Sequence, residues 1–352
     1  MTAHGTPVSR LAPSPTGALH LGNARTFLIN WAMARQNNWQ LRLRIDDLVG
    51  PRLKPETAQL VIDQLIWLGL DWDGQPLYQS QTLEPYQQAL QTLRDKNLIY
   101  PCQCTRKEIA LAQSAPHQDE HELRYPGTCR PANPAARLAQ HHRPQALLHD
   151  DMTTAWRVIV PDQHVTFHDV IQGPQSFNVQ QQVGDFIVAT KNGQPAYQLA
   201  VVVDDQRQSV TEIVRGDDLL RSTARQLLLY HMLSTDPAPA ASPDTKPPSQ
   251  SGPSEISQIA IPTYYHLPLV LGADGRRLAK RHGDTRLLHY QQHGVPPEAI
   301  IGLLAFWSGI TDRRQPMTTA QFAQRFDPGR LPAEPATFTS QDEAYLQTAS
   351  KP

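Results

Sequence analysis

The stretch Pro13-Ser-Pro-Thr-Gly-Ala-Leu-His-Leu-Gly-Asn23 leads from a strand candidate into a helix candidate. Its prolines exclude regular helix or central strand, and Gly17 suits a tight loop. His20, Gly22 and Asn23 then stand at the helix start, where free N–H groups and the positive dipole end suit a phosphate. Gly22 admits close approach to the backbone, and His20 can donate to an anionic oxygen. The bland alternative is an ordinary proline-rich loop with an incidental histidine. A second group, Gly275-Arg-Arg-Leu-Ala-Lys-Arg-His-Gly283, places Arg276, Arg277, Lys280 and Arg281 within six residues. Lys280 has small and flexible neighbours, as a mobile phosphate-contacting loop needs. A solvated basic patch is the competing explanation.

Cysteine supplies the third group: Cys102-x-Cys104, then Tyr125-x-x-x-Cys129. Thiolates bind zinc well, and a structural zinc wants four ligands. With three cysteines in the chain, the fourth ligand must come from Tyr125, His121, His117 or Asp119. Thiols without a metal are the alternative. The fourth group is dispersed. Arg10 ends the first strand candidate and Asp46 the second; Tyr197 begins a later strand candidate, and Arg215 ends the one after it. In open α/β sheets, ligands bind beyond the carboxyl ends of the strands. Two arginines there can each grip a carboxylate bidentately, and Asp46 can pair an ammonium. That combination describes glutamate or aspartate; surface salt bridges explain any one residue but not their common placement.

These residues need elements to hold them. Val8–Leu11 reads as a short strand. Ala24, Phe27, Leu28 and Trp31 follow helical spacing, Gln40–Ile45 alternates as a strand, and 56–69 and 83–98 read as amphipathic helices. Strand, loop, helix, strand, helix argues an α/β unit with a parallel sheet. From Pro101 to about Asp185 the pattern breaks into cysteines, a His- and Gln-rich stretch and short runs such as Trp156–Val160, as an insertion would. Gln198–Val203 reads as a buried strand, Ser209–Val214 as another, Leu219–Leu233 as a helix, and 286–332 as mostly helical.

Composition excludes several classes. The 352 residues are enough for two or three compact units, and 39% hydrophobic content argues against wholesale disorder. The 32 Lys and Arg against 33 Asp and Glu rule out a uniformly basic coat, though not a local basic face. Three cysteines cannot all pair, so a secreted disulfide scaffold is not expected. No apolar run reaches membrane-spanning length and Met1–Pro7 lacks a signal pattern, so a cytoplasmic protein with no membrane partner is expected.

Taken together and in this order, the motifs resemble the class I aminoacyl-tRNA synthetases of the glutamyl type. Arg10-Leu-Ala-Pro-Ser-Pro-Thr-Gly-x-Leu-His-Leu-Gly-Asn-Ala-Arg-Thr26 resembles the first signature with its glutamate-binding segment. Arg44-Ile-Asp-Asp47 resembles the family's Arg-Ile-Glu-Asp, and Tyr197–Asp205 and Glu212–Asp218 its later sheet segments. Arg277-Leu-Ala-Lys-Arg281 stands where a Lys-Met-Ser-Lys-Ser type signature belongs. The resemblance spans roughly residues 8–310. It implies a Rossmann-type catalytic domain with an inserted zinc-containing, acceptor-type subdomain and a short helical C-terminal region. The expected division is 8–100 with 186–233 for the split catalytic domain and 101–185 for the insertion. A disordered Pro/Ser-rich loop at 234–258, a signature-loop and stem-contact region at 259–335 and a flexible tail at 336–352 complete it.

The resemblance also implies roles. Arg10, Leu11, Ala12, Pro13, Ser14, Asp46, Tyr197 and Arg215 would bind glutamate. His20, Gly22, Asn23 and Lys280 would bind ATP, with His20 and Lys280 catalytic. Cys102, Cys104, Tyr125 and Cys129 would hold one structural zinc, and Mg²⁺ would accompany ATP. Such a reaction runs on positioning and electrostatics, with no protein nucleophile. Residues 282–352 leave no room for the large helical anticodon-binding region of a full glutamyl member. The short form is similar to members that transfer glutamate to queuosine, a modified base in the anticodon of tRNA(Asp). The expected partners are L-glutamate, ATP and that anticodon stem-loop, and the expected state is a monomer. A member charging a tRNA 3′ end, a non-catalytic binding paralogue and another class I-like nucleotidyltransferase are the alternatives. The chain departs from the pattern at Asp46 (usually Glu), Arg277, Ala279 (commonly Ser) and Asn23 (often a second His).

Overall fold

The computed structural model describes residues 5–48, 55–112, 124–132, 154–234, 261–276, 278 and 285–350. β1 (Val8–Leu11) and β2 (Gln40–Ile45) pair in parallel, from Val8 opposite Gln40 to Leu11 opposite Leu43; β3 (Leu77–Tyr78) adds beside β2. All four residues of β1 are buried, as in a strand covered on both faces. The connection between β1 and β2 is the helix Leu21–Gln36, which packs Ala24, Leu28, Ile29 and Ala32 inward. The helices expected at 56–69 and 83–98 form as Pro55–Trp67 and Glu84–Asp95.

β4 (Ile99–Cys102) and β5 (Ala155–Val158) pair antiparallel, and β8 (Ile187–Ala189) adds to the far edge of β5. β6 (His164–Asp169) and β7 (Gly173–Asn178) form a hairpin. β9 (Glu212–Gly216) and β10 (Thr263–Leu267) pair in parallel over five residues, and β6 meets β10 in parallel at Asp169 and Tyr264. The strand order is β7-β6-β10-β9, so a hairpin from the middle of the chain joins the parallel strands. The Thr211 N–H donates to the Val8 carbonyl at 2.8 Å, tying the edge of β9 to the edge of β1. The α/β architecture with parallel strands is therefore present.

Two buried clusters sit on this framework. One gathers β1, β2, the helix Leu21–Gln36 and the helix Pro297–Trp307 around Leu28, Leu43, Ile300 and Leu304. The other gathers the helices Glu84–Asp95, Tyr197–Arg207 and Leu220–Leu233 around Leu90, Val202 and Leu229.

Two expectations are corrected. Gln198–Val203 is not a strand; it lies within the helix Tyr197–Arg207. Leu199, Ala200, Val201, Val202 and Val203 are all buried, and an apolar run enclosed on every side has the same pattern in either conformation. The tail at 336–352 is not frayed over its described part. β12 (Ala336–Thr337) pairs in parallel with β11 (Val270–Leu271), and Ser340–Ala349 is a helix opened by a capping box from Thr339 and Asp342. The expected 234–258 loop lies, apart from Ser234, outside the described residues. Among the described residues no helix is long and apolar enough to cross a membrane.

Candidate active site

The carboxyl ends of β1, β2, β9 and β10 open onto one cleft. Arg10 and Ala12 reach it from β1 and its end, Arg44 and Asp46 from β2 and its end, Arg215 and Gly216 from β9, Pro268 and Leu269 from the turn after β10, and Val270 from the start of β11. His20, Gly22 and Asn23 enter from the start of the helix Leu21–Gln36, and Tyr197 from the start of the helix Tyr197–Arg207. Residues separated by more than 200 positions thus meet beyond the strand ends, where open α/β sheets place their ligands.

Three members of the expected glutamate set do not line the cleft. Leu11 is wholly buried in the core. Pro13 is buried, and its carbonyl accepts the Asp46 N–H at 3.0 Å. Ser14 is exposed, its carbonyl accepting the Thr16 N–H at 2.8 Å. Through these backbone bonds the segment shapes the loop and fixes the backbone of Asp46.

A charge network underlies one wall. Arg44 donates from Nε to Asp46 Oδ1 at 2.7 Å and from Nη1 to Asp205 Oδ1 at 2.6 Å. Arg10 donates from Nε to the same Asp205 oxygen at 3.2 Å. Burial pushes the Asp205 carboxyl up, but Arg10 and Arg44 outweigh it and the net shift is downward. Burial also raises the Asp46 carboxyl, only partly opposed by Arg44 and Arg10. Both Nη atoms of Arg10 are without a hydrogen-bond partner among the described residues. Sequence reasoning passed over Arg44 and Asp205 as single residues, although both stand inside quoted motifs.

Arg215 faces this wall and is held differently. Its Nε donates to His266 Nε2 at 3.0 Å and its Nη2 to Thr223 Oγ1 at 2.8 Å, while the guanidinium lies 5.4 Å from the Tyr264 ring centre. Its Nη1 is buried and has no partner among the described residues. Burial of the cation lowers its pKa. A buried guanidinium with a spare N–H pair and no carboxylate in contact among the described residues suits an incoming anion. His266 and Thr223 carried no signal in the sequence.

At the opposite wall His20 caps the helix Leu21–Gln36, its Nδ1 accepting the Asn23 N–H at 3.4 Å. A Cβ on Gly22 would stand 3.2 Å from the His20 ring, so the close approach Gly22 permits is that of this imidazole. Arg25, one turn on, donates to the carbonyls of Pro268 at 2.6 Å and Trp307 at 3.2 Å and to Ser308 Oγ at 3.2 Å. It thereby fastens the cleft turn to the end of the helix Pro297–Trp307. Burial brings its guanidinium down to about 10, Asp217 opposing. Lys280 lies outside the described residues, as do Arg277, Ala279 and Arg281. Leu278 between them is buried, and its N–H donates to the carbonyl of Val270 on the cleft wall at 3.1 Å.

The cysteines converge elsewhere. The sulfurs of Cys102, Cys104 and Cys129 lie within 4.8 Å of one another. Cys104 Sγ is 3.4 Å from Cys129 Sγ, and the Tyr125 hydroxyl lies 3.5 Å from Cys102 Sγ and 3.7 Å from Cys104 Sγ. Tetrahedral zinc with bonds of about 2.3 Å sets its ligands about 3.8 Å apart, so these spacings fit one such ion. Burial pushes the Cys129 thiol up, but hydrogen bonds from the Gln103 N–H and Tyr125 bring it down to about 7. Arg157 donates from Nε to Cys102 Sγ at 3.2 Å and stacks 3.7 Å over the Tyr125 ring. His117, Asp119 and His121, the other candidate fourth ligands, lie outside the described residues.

Fold and cleft together define the catalytic domain of a class I tRNA synthetase: the family model for tRNA synthetases class I (E and Q), catalytic domain, matches residues 8–243. The glutamyl-Q tRNA(Asp) synthetase of Symbiobacterium thermophilum is 40% identical over 346 residues, covering 96% of this chain and 97% of its own length. The enzyme of the same name from Rhodopirellula baltica is 41% identical over 347 residues, covering 93% and 95%. The chain belongs to this glutamyl-Q tRNA(Asp) synthetase family within the class I synthetases, and it is a ligase. A glutamate tRNA ligase from Elizabethkingia meningosepticum, crystallised with its amino acid, shares the fold at a TM-score of 0.73 and 22% identity, over 97% of this chain and 69% of that one.

Proposed function

We propose that the chain activates L-glutamate with ATP and transfers it to queuosine in the anticodon of tRNA(Asp). The observation that carries the amino-acid half is the meeting of Arg10 and Arg215 on the same cleft as His20. In the first step an oxygen of the glutamate α-carboxylate attacks the α-phosphorus of ATP. The bond from that phosphorus to the β-phosphate bridge breaks, releasing pyrophosphate and leaving glutamyl-adenylate. In the second step a hydroxyl of queuosine attacks the acyl carbon, loses its proton and displaces AMP.

Arg215, whose Nη1 is unmatched among the described residues, and Arg10, whose two Nη atoms are likewise, receive the carboxylate that is not activated. Asp46 and Tyr197 border the ammonium. Asp46 shares its charge with Arg44 and acts as half of an ion pair rather than as a lone anion. His20 and the backbone of Gly22 and Asn23 sit where charge grows on the α-phosphate, and Lys280 serves the departing pyrophosphate, with Mg²⁺ on the nucleotide. Ala12 lines the same cavity and adds no charge.

Cys102, Cys104, Tyr125 and Cys129 would hold a zinc ion that supplies only cross-linking. Three thiolates, a phenolate and a divalent cation leave net negative charge, which the buried Arg157 beside Cys102 and Tyr125 offsets. The division into a split catalytic domain, an inserted metal-bearing subdomain and a helical stem-contact region belongs to the same reading. So do a cytoplasmic location and a monomeric state.

The deciding experiment supplies labelled glutamate and ATP with tRNA(Asp) carrying or lacking queuosine, and with tRNA(Glu). Label on queuosine-containing tRNA(Asp) alone is the expected result. Label on the 3′ end of tRNA(Glu), with none on tRNA(Asp), would sink the reading.

A further inference from the structure

His266 belongs to none of the sequence motifs. It is wholly buried in β10, between Asp169 at the end of β6 and Arg215 of β9. Asp169 Oδ2 is 2.6 Å from His266 Nδ1. The other oxygen, Oδ1, accepts the backbone N–H groups of Ile171 at 3.0 Å, Gln172 at 2.8 Å and His266 itself at 3.2 Å. An ionised carboxylate can only accept, so the proton on this imidazole belongs on Nδ1 and Nε2 presents its lone pair. Arg215 Nε, which can only donate, meets that lone pair at 3.0 Å. Thr223 Oγ1 closes the figure, accepting from Arg215 Nη2 at 2.8 Å and lying 3.2 Å from His266 Nε2. Two of the three guanidinium nitrogens are thus fixed, and the third, Nη1, has no partner among the described residues.

We propose that Asp169 and neutral His266 form a positioning relay that fixes the guanidinium plane of Arg215 and so aims its free Nη1 at the carboxylate of the amino-acid substrate. This rests on the reading of Arg215 as a glutamate ligand. The relay works only in one tautomer. A proton added at Nε2 would set N–H against N–H and put two cations in contact, so Arg215 would have to turn away.

Among the described residues, the charged and titratable groups around the imidazole are Asp169 from β6, Arg215 from β9, Asp218 from the turn after β9 and Tyr264 from β10, whose ring stacks on it at 6.0 Å. Arg10, Asp205 and Tyr197 act one step further out, on Arg215. Burial lowers the His266 pKa below its ordinary value of 6.5; Asp169 opposes this and Arg215 adds to it. Glutamate affinity should therefore weaken on acidification somewhere below pH 6.5.

The test is glutamate-dependent ATP–pyrophosphate exchange by the full-length chain with tRNA(Asp) present, comparing Asp169→Asn, His266→Gln and Arg215→Ala. Asp169→Asn keeps an oxygen for the three backbone N–H groups but offers an amide N–H to Nδ1, reversing the tautomer. Its KM for glutamate should rise at least about tenfold, with KM for ATP unchanged. His266→Gln keeps an acceptor near Nε2 without a titrating group. Its KM should rise less than that of Asp169→Asn, and the acid-side rise in KM should disappear. Should Asp169→Asn fail to fold, the His266→Gln profile against wild type decides alone. If Arg215→Ala leaves KM for glutamate unchanged, the assignment of Arg215 itself is wrong. If Arg215→Ala raises it while both relay variants keep the wild-type KM and pH profile, only the relay is overturned.

Discussion

Arg44 donates from Nη1 to Asp205 Oδ1 at 2.6 Å, joining β2 to the last turn of the helix Tyr197–Arg207 with both side chains wholly buried. Asp205 also takes Arg10, so one carboxylate restrains two cations beneath the cleft. Removing it by Asp205→Ala strands buried charge, and such a loss costs about 3–5 kcal/mol. Urea unfolding should show that loss, and KM for glutamate should rise because Arg10 is released. A destabilisation below about 1 kcal/mol would mean that Asp205 is not the anchor described here.

Acid should unfold the protein in two stages. Burial, joined by Arg215, makes His266 harder to protonate when folded than when unfolded, Asp169 notwithstanding. Burial raises the Asp169 carboxyl, but the hydrogen bonds from His266 and the Gln172 N–H outweigh it; Asp205 is likewise held down by Arg10 and Arg44. For each group the unfolded chain binds protons more readily, so stability falls as pH falls. His266 acts first, below 6.5, and the two carboxylates next, below about 3.9. Denaturation midpoints between pH 7.5 and pH 3 should show both stages, and His266→Gln should erase the first. An unaltered first stage in that variant would assign it to another histidine.

How much of this was readable depended on the range of the contacts. Strand β1 and the loop after it were legible because Pro13 and Pro15 end a strand, and Arg10 was legible because ligands gather past strand ends. Tyr197 was placed at the right rim on the wrong element. A buried valine run looks alike in strand and helix, and here a helix start, not a strand end, brings the tyrosine to the cleft. Asp205 and His266 were not legible as partners of the site. Their contacts bridge 195 residues to Arg10 and 97 to Asp169, and no local pattern encodes such a meeting.

Lys280 is expected to act on the phosphates from a segment tied to the cleft. Leu278, two residues earlier, is buried and bonded to Val270, which lines the cavity. Lys280→Ala should therefore lower glutamate-dependent pyrophosphate exchange at least about a hundredfold while leaving the far-UV circular dichroism unchanged. Near-normal exchange would take Lys280 out of the chemistry.

The cysteine cluster makes a metal prediction independent of activity. Elemental analysis should find about one zinc per chain, and Cys102→Ser with Cys104→Ser should abolish it. Chelation should lower the unfolding temperature, because the metal would cross-link the small buried cluster of Tyr100, Cys102, Ile109 and Tyr125. Added zinc should restore it. Protein that is metal-free as purified and indifferent to chelator and zinc would show that the thiols serve as core only.

The C-terminal helix Ser340–Ala349 is part of the folded unit. Leu346 is wholly buried in the main core, and Asp342, also buried, accepts from Arg314 Nε at 2.6 Å while its other oxygen takes the Thr339 N–H at 2.7 Å and hydroxyl at 2.8 Å. One carboxylate thus closes the capping box and pins the helix to the loop after the helix Pro297–Trp307. Asp342→Ala removes the half of the box that takes the Thr339 N–H, while Thr339 still caps the backbone N–H at position 342, and it leaves the Arg314 charge with the Phe306 ring, 4.4 Å away, as its partner among the described residues. Loss of that hydrogen bond together with the Arg314 pair of a buried carboxylate should cost about 1–3 kcal/mol. Leu346→Ala should cost about 2–5 kcal/mol. Neither substitution touches the cleft, so unfolding midpoints should fall with KM for glutamate unchanged. Wild-type stability in both variants would show that this segment does not hold the core.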